Sequence, residues 1–244
     1  MIRTIIFALV FWVTLILLSV FFIPLGFLNL FKLKKSEEKF LIWMTAAWSK
    51  FMFFVAGQKF EFEGMEKIPE HNRICFVANH QSYGDIPMVM GFMGKRVGFI
   101  AKKELNRVPI LNFWIRAIHC IFIDRGQGRQ ALRAIETGME QITMGYPKVL
   151  FPEGTRAKNG KMKKFKAGGL QMAVRYDITI VPITINGLFR CFEETGRVTA
   201  NTTKITIHNP IETVGMDREE RKALTGKIEQ IISSALPEEF RLAE

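Results

Sequence analysis

The chain begins with an apolar run. Residues 5–23 carry no charged side chain, and as a helix of about 19 residues at ~1.5 Å each the run nearly matches the hydrocarbon thickness of a bilayer. Pro24 and Gly26 interrupt it, and Lys32, Lys34, Lys35 and Lys39 form a basic connector to a second apolar stretch, 40–55. In that stretch Thr45 and Ser49 stand four apart with Lys50 adjacent, a narrow polar stripe, while Trp43, Trp48, Phe51 and Phe54 suit a headgroup boundary. The pattern predicts a two-helix membrane anchor over residues 1–58. A cleaved signal peptide is the rival reading, but the run is too long and no A-x-A-like small-residue site follows it. By the positive-inside rule the lysines keep the following domain on the cytoplasmic face, whether the first helix spans or the pair dips into one leaflet.

From Arg73 onward short apolar runs alternate with helical periodicity. Segments 74–78, 97–101, 120–123, 149–151, 178–185 and 204–208 read as strands; 86–92, 109–117, 129–144, 167–175 and 217–235 read as helices. This alternation predicts an α/β domain over 59–244, a largely parallel or mixed sheet flanked by helices.

The 244 residues and 48% apolar content supply one sizeable core. Cys75, Cys120 and Cys191 lie far apart without a C-x-x-C pair, which argues against a zinc cluster or disulfide framework and fits a reducing compartment. The net charge of +11 attracts anionic partners: phospholipid headgroups, an acidic carrier protein, coenzyme phosphates or nucleic acid. The acid-free cation run Arg156, Lys158, Lys161, Lys163, Lys164 and Lys166 reads as a solvated loop or, beside an anchor, as a surface for anionic lipid or acyl carrier protein. No nucleic-acid-binding motif accompanies the charge, so nucleic acid is the poorer partner.

The chemistry concentrates in Asn79-His80-Gln81-Ser82-Tyr83-Gly84-Asp85. Residues five apart lie about 140° apart on an ideal helix, so His80 and Asp85 meet only if a turn intervenes. Gly84 supplies it, and Pro87 suits a first helical turn, which puts Asp85 at a helix N-terminus. There a carboxylate stays ionised, as needed to orient an imidazole and stabilise it once protonated. Metal-dependent hydrolysis would need further ligands near His80, and His71, His119 and His208 show no ligand spacing.

The H-x4-D element, then Phe122-Ile123-Asp124-Arg125, then Phe151-Pro152-Glu153-Gly154-Thr155-Arg156, then Val181-Pro182-Ile183 together resemble the four-motif pattern of the glycerolipid acyltransferases, particularly the 1-acylglycerol-3-phosphate acyltransferases. The resemblance covers roughly residues 70–190. It implies His80 as general base with Asp85 as its partner, and transfer of a fatty acyl group from acyl carrier protein or coenzyme A to lysophosphatidic acid, with no cofactor beyond that acyl thioester. It also implies Arg125, Glu153, Gly154, Thr155 and Arg156 as acceptor-site residues, with Arg preferred because its planar fork binds two phosphate oxygens. Ala101-Lys102-Lys103-Glu104-Leu105 resembles the family's lysine-bearing segment, making Lys103 a phosphate candidate, and Val181 and Pro182 are expected on the acyl-chain side. One departure is His119, where many relatives have Gly. Glycerol 3-phosphate or another lysolipid remains an alternative acceptor, and a non-catalytic membrane-anchored basic scaffold is the alternative of a different class.

Overall fold

The computed structural model describes residues 1–123 and 128–242. At the N-terminus α1 (Ile2–Leu18) passes through a 3₁₀ turn, Ser19–Phe21, into α2 (Phe22–Leu30). Pro24 is the cause: it has no N–H to donate and its ring would meet the carbonyl four residues back, at Val20, so the turn tightens there. Helix α3 (Lys34–Ala56) starts earlier than expected. Lys34, Lys35 and Lys39 belong to its first turns rather than to a connector, because lysine is a good helix former. The helix stops at Gly57, whose φ of 73° suits glycine.

The polar stripe of α3 points inward. Thr45 and Ser49 are buried whereas Trp43, Phe51 and Phe54 are exposed. Thr45 Oγ1 donates to the Leu41 carbonyl at 2.7 Å, and Ser49 meets Gly91 so closely that a Cβ there would lie 2.7 Å from the serine Cβ. The stripe is thus a close-packing seam.

The strands are β1 (Gln58–Glu63), β2 (Ile74–Ala78), β3 (Ile100–Lys102), β4 (Ile121–Ile123), β5 (Lys148–Leu150), β6 (Thr179–Asn186) and β7 (Asn201–Ile207). Five form a mixed sheet in the order β1-β7-β6-β2-β5, with only β6–β7 antiparallel. Parallel β3 and β4 continue it through a bridge from Gly98 to Lys148. β1 lies outside the expected strands, although Phe60 and Phe62 alternating with Lys59, Glu61 and Glu63 is a period-2 signal.

Helices α4 (Asp85–Phe92), α5 (Leu111–Ala117), α6 (Gly128–Thr143), α7 (Ala167–Arg175) and α8 (Arg218–Ser234) cover the sheet. Alternation along β2 divides them: Phe76 and Ala78 pack with α3, α4 and α5, while Cys75 and Val77 pack with α6, α7 and α8. A third cluster of Leu15, Leu25, Leu41, Met44 and Trp114 joins the N-terminal helices to α5.

Both ends of the N-terminal pair touch the sheet domain. The Val198 N–H donates to Thr4 Oγ1 at 3.0 Å, and Arg96 reaches Glu37 at 3.4 Å. The pair therefore lies along the domain. Its outer surface carries Ile2, Ile5, Leu9, Trp12, Ile16 and Val20, all at least half exposed, at helical spacing. Both segments, 2–30 and 34–56, are long and apolar enough to cross a membrane.

Candidate active site

β2 ends at Ala78, and the next four residues are buried before α4 starts at Asp85. The turn between them is held by its own side chains. Asn79 bonds both the carbonyl and the N–H of Ile185 at 2.8 Å; Gln81 donates to the Gly160 carbonyl and accepts from the Gly187 N–H, each at 3.1 Å. Pinning this turn folds His80 back over Asp85, and His80 Nδ1 lies 2.7 Å from Asp85 Oδ2.

The same Oδ2 accepts the N–H groups of Gln81 and Ser82 at 2.7 and 2.9 Å. A fully buried carboxylate oxygen with three hydrogen-bond partners is fixed in place. It sets the Nδ1–H tautomer of the imidazole, leaving Nε2 as the proton acceptor. His80 stacks on Phe151, ring centroids 4.1 Å apart at 20°, so its orientation is set from both the edge and the face.

Glu153 is the second fixed point. Its Oε1 accepts the backbone N–H of His80 at 2.8 Å and its Oε2 accepts the N–H of Lys163 at 3.2 Å. Burial raises its carboxyl to about 7, with the two N–H bonds acting in the opposite direction. Gly154 follows at φ 74°, and a Cβ there would approach Lys166 Nζ to 3.0 Å. Thr155 Oγ1 accepts from Lys163 Nζ at 3.0 Å. Arg156 lies 3.3 Å from the Tyr83 ring centroid and bonds Glu193 Oε1 at 3.0 Å, the oxygen that also accepts the Tyr83 N–H at 2.7 Å.

The family model for acyltransferases matches residues 59–186, which contain every one of these motif residues. The chain belongs to the acyltransferase family. Among solved structures it is similar to the crystal structure of the 1-acyl-sn-glycerophosphate (LPA) acyltransferase PlsC from Thermotoga maritima. The TM-score is 0.77 at 30% identity, covering 95% of this chain and 93% of that one. Among curated proteins it is 34% identical over 150 residues to the 1-acyl-sn-glycerol-3-phosphate acyltransferase of Pseudomonas aeruginosa, covering 61% of this chain and 54% of that protein. It is 28% identical over 178 residues to the chloroplastic LPAT1 of Arabidopsis thaliana, covering 72% and 49%. The chain thus spans about half the length of the curated relatives it matches.

Three cavities surround this acyltransferase motif. One of 240 Å³ holds His80, Phe151, Gly154 and Lys166, with Ile86 and Phe99 in its wall. A second of 220 Å³ shares Ile86 and Phe99 and runs between α1, α3 and α5 past Met90, Leu111 and Ile115. A third of 780 Å³ lies between α1, α3 and residues 191–198, with Ser82, Tyr83 and Gly84 at its edge.

The expected site residues divide accordingly. His80, Asp85, Glu153, Gly154, Thr155 and Arg156 converge at the strand ends, whereas Arg125 lies outside the described residues. Lys103 is exposed at the start of a 3₁₀ turn after β3 and lines none of these cavities. Val181 and Pro182 sit inside β6 opposite Phe76 and Val77 of β2, buried in the sheet and away from the cavities. The apolar walls instead come from α1, α3, α4 and α5 in the 220 Å³ cavity and, around His80, from β3, β4, β5 and Ala131 and Ile135 of α6. Lys166, Tyr83 and Glu193 were not expected at the site. Only Lys166 had a signal, as the last cation of the basic loop.

The His119 departure also has a structural counterpart. Its φ is 57°, a backbone region glycine enters freely. Its ring lies 3.7 Å from Tyr146, and burial, then Arg96 and Lys148, push its imidazole down to about 4.

Proposed function

We propose that this chain transfers a fatty acyl group from an acyl thioester to the sn-2 hydroxyl of 1-acylglycerol 3-phosphate, giving phosphatidic acid. The observation that carries the reading is the 2.7 Å His80–Asp85 pair, with His80 in the wall of the 240 Å³ cavity. The relatives' names supply the substrate class.

His80 Nε2 takes the proton of the acceptor hydroxyl as that oxygen attacks the thioester carbonyl, while Asp85 stabilises the imidazolium. The tetrahedral adduct collapses with cleavage of the C–S bond, and the imidazolium returns the proton to the departing thiolate. The step requires no cofactor beyond the thioester, carried by acyl carrier protein or coenzyme A. The guanidinium of Arg156 suits the acceptor phosphate, and Lys166 adds a second cation beside Gly154. Arg125, by its place in the motif pattern, belongs to the same acceptor role.

The N-terminal helices seat the enzyme in one leaflet with the sheet domain on the cytoplasmic side. The support is that both ends of the pair are tied to that domain at Val198 and Arg96; a helix pinned so cannot carry one end to the opposite membrane surface. The outward apolar stripe of α1 then meets acyl chains instead of water.

Purified enzyme in detergent, offered labelled acyl-carrier-protein and acyl-coenzyme-A donors with lysophosphatidic acid or glycerol 3-phosphate, tests the reading. Phosphatidic acid from lysophosphatidic acid supports it and identifies the donor. Product from glycerol 3-phosphate alone places the reaction one acylation earlier, and no product from either refutes it.

A further inference from the structure

The two apolar cavities adjoin along Tyr83, Pro87, Phe11 and Trp48, which line both. The 220 Å³ cavity adjoins the His80 cavity at Ile86 and Phe99. The 780 Å³ cavity shares no lining residue with the His80 cavity and meets the motif at Ser82, Tyr83 and Gly84.

We propose that the 780 Å³ cavity is the binding site for the acyl chain of the acceptor lysolipid, and that the four side chains at the junction keep this chain apart from the chain being transferred. The inference rests on the proposed acyl transfer to an anionic lysolipid and adds where that lipid's tail lies.

Charge and access select the occupant. Arg156 stacks on Tyr83, which lines the cavity, and Glu193, which holds Arg156, follows directly on Cys191 and Phe192 of the cavity wall. A cation is therefore fixed at the rim of an apolar room, which is complementary to an amphiphile with an anionic head and a hydrocarbon tail. The volume falls within the range of about 300–1,000 Å³ typical of ligand sites. Thr4, Phe7 and Trp12 of α1 form one wall, and Trp12 is half exposed in the lipid-facing stripe. A lysolipid resident in the leaflet reaches this room past α1 with its tail never crossing water, whereas a donor carried by a soluble protein or coenzyme arrives at His80 from the aqueous side.

Two experiments separate chain placement from the reaction itself. In the first, Ala8→Trp narrows the room from α1 and Cys191→Phe narrows it from the opposite wall, each checked for an unchanged melting transition, so that the second serves if the first does not fold. Leu111→Trp narrows the smaller cavity. The expected result is that either room variant raises KM for long-chain over short-chain lysophosphatidic acid roughly tenfold and leaves donor chain-length preference unchanged, while Leu111→Trp does the reverse. A shift of donor preference by Ala8→Trp or Cys191→Phe, or no change in acceptor preference, overturns the placement.

The second experiment reads position without turnover: lysophosphatidic acid bearing a diazirine at its chain terminus is photolysed on His80→Ala protein. Adducts within 4–12 and 191–198 support the room, and adducts on 105–118 or none overturn it. Adducts in the room with no turnover by wild type would sink the reaction alone. Turnover with adducts on 105–118 would sink the placement alone.

Discussion

The backbone N–H of His80 donates to Glu153 Oε1 at 2.8 Å, across 73 residues of sequence. The proposed base and the loop that carries Arg156 are thus tied together, since the other Glu153 oxygen accepts from Lys163 in the basic loop. Glu153→Gln keeps the size of the side chain but turns an NH₂ toward one of two backbone donors. It should cost about 1–3 kcal/mol of stability and displace His80, so that kcat falls more than KM rises. Steady-state kinetics beside thermal melting check this; unchanged kcat in a folded variant would contradict it.

Glu153 also carries a pH signature. Its folded-state carboxyl titrates at about 7 instead of 4.5 because burial favours the neutral form. With the folded pKa raised, the folded state holds a proton that the unfolded chain has lost between those values, so the contribution is complete below 4.5 and disappears as pH rises through 7. The melting temperature of wild type is expected to fall across this window by more than that of Glu153→Gln. Parallel curves for the two would contradict the assignment.

Arg156 acts by shape as well as charge. Its guanidinium lies flat on Tyr83 while bonding Glu193, a placement a lysine ammonium does not reproduce. Both Arg156→Ala and Arg156→Lys should raise KM for the phosphorylated acceptor by roughly ten- to hundredfold, the equivalent of about 1.5–3 kcal/mol for a charged hydrogen bond. Donor KM should change little. Acceptor and donor titrations separate the two, and full rescue by lysine would show that charge alone suffices.

Much of this site is legible in the chain because it is local. The spacing of His80 and Asp85 demands a turn, Pro87 suits a first helical turn, and Asp85 begins α4, although Gly84 does not supply unusual backbone angles: its φ is −67°, open to any residue. The two N-terminal apolar helices and the alternation of strands and helices are legible for the same reason, being periodic patterns within short windows. Glu153 looked like an acceptor-site residue, yet its contacts are two backbone amides, one of them the N–H of His80, brought to it by the parallel pairing of β2 and β5. Glu193 and Tyr83 meet Arg156 only through tertiary folding, so no spacing announces them. Val181 and Pro182 illustrate the opposite error: an apolar strand triplet reads equally as site wall or sheet core, and the pairing of β6 with β2 makes it core.

On the proposed one-leaflet seating, the outward stripe of α1 meets lipid. Leu9 and Ile16 lie on that exposed face, away from the packed side that carries Leu15. Leu9→Glu with Ile16→Glu places two charges where lipid is expected, which opposes insertion. Flotation with anionic vesicles should fall sharply while the melting transition is retained. Undiminished flotation would contradict the one-leaflet seating.

The central claim is that His80 removes the acceptor proton, and the most direct measurement is the turnover of His80→Ala against wild type with lysophosphatidic acid and the active donor. The account predicts a fall in kcat of about 10²–10⁴ with the melting temperature and acceptor KM nearly unchanged. Near-normal kcat in the folded variant would contradict it.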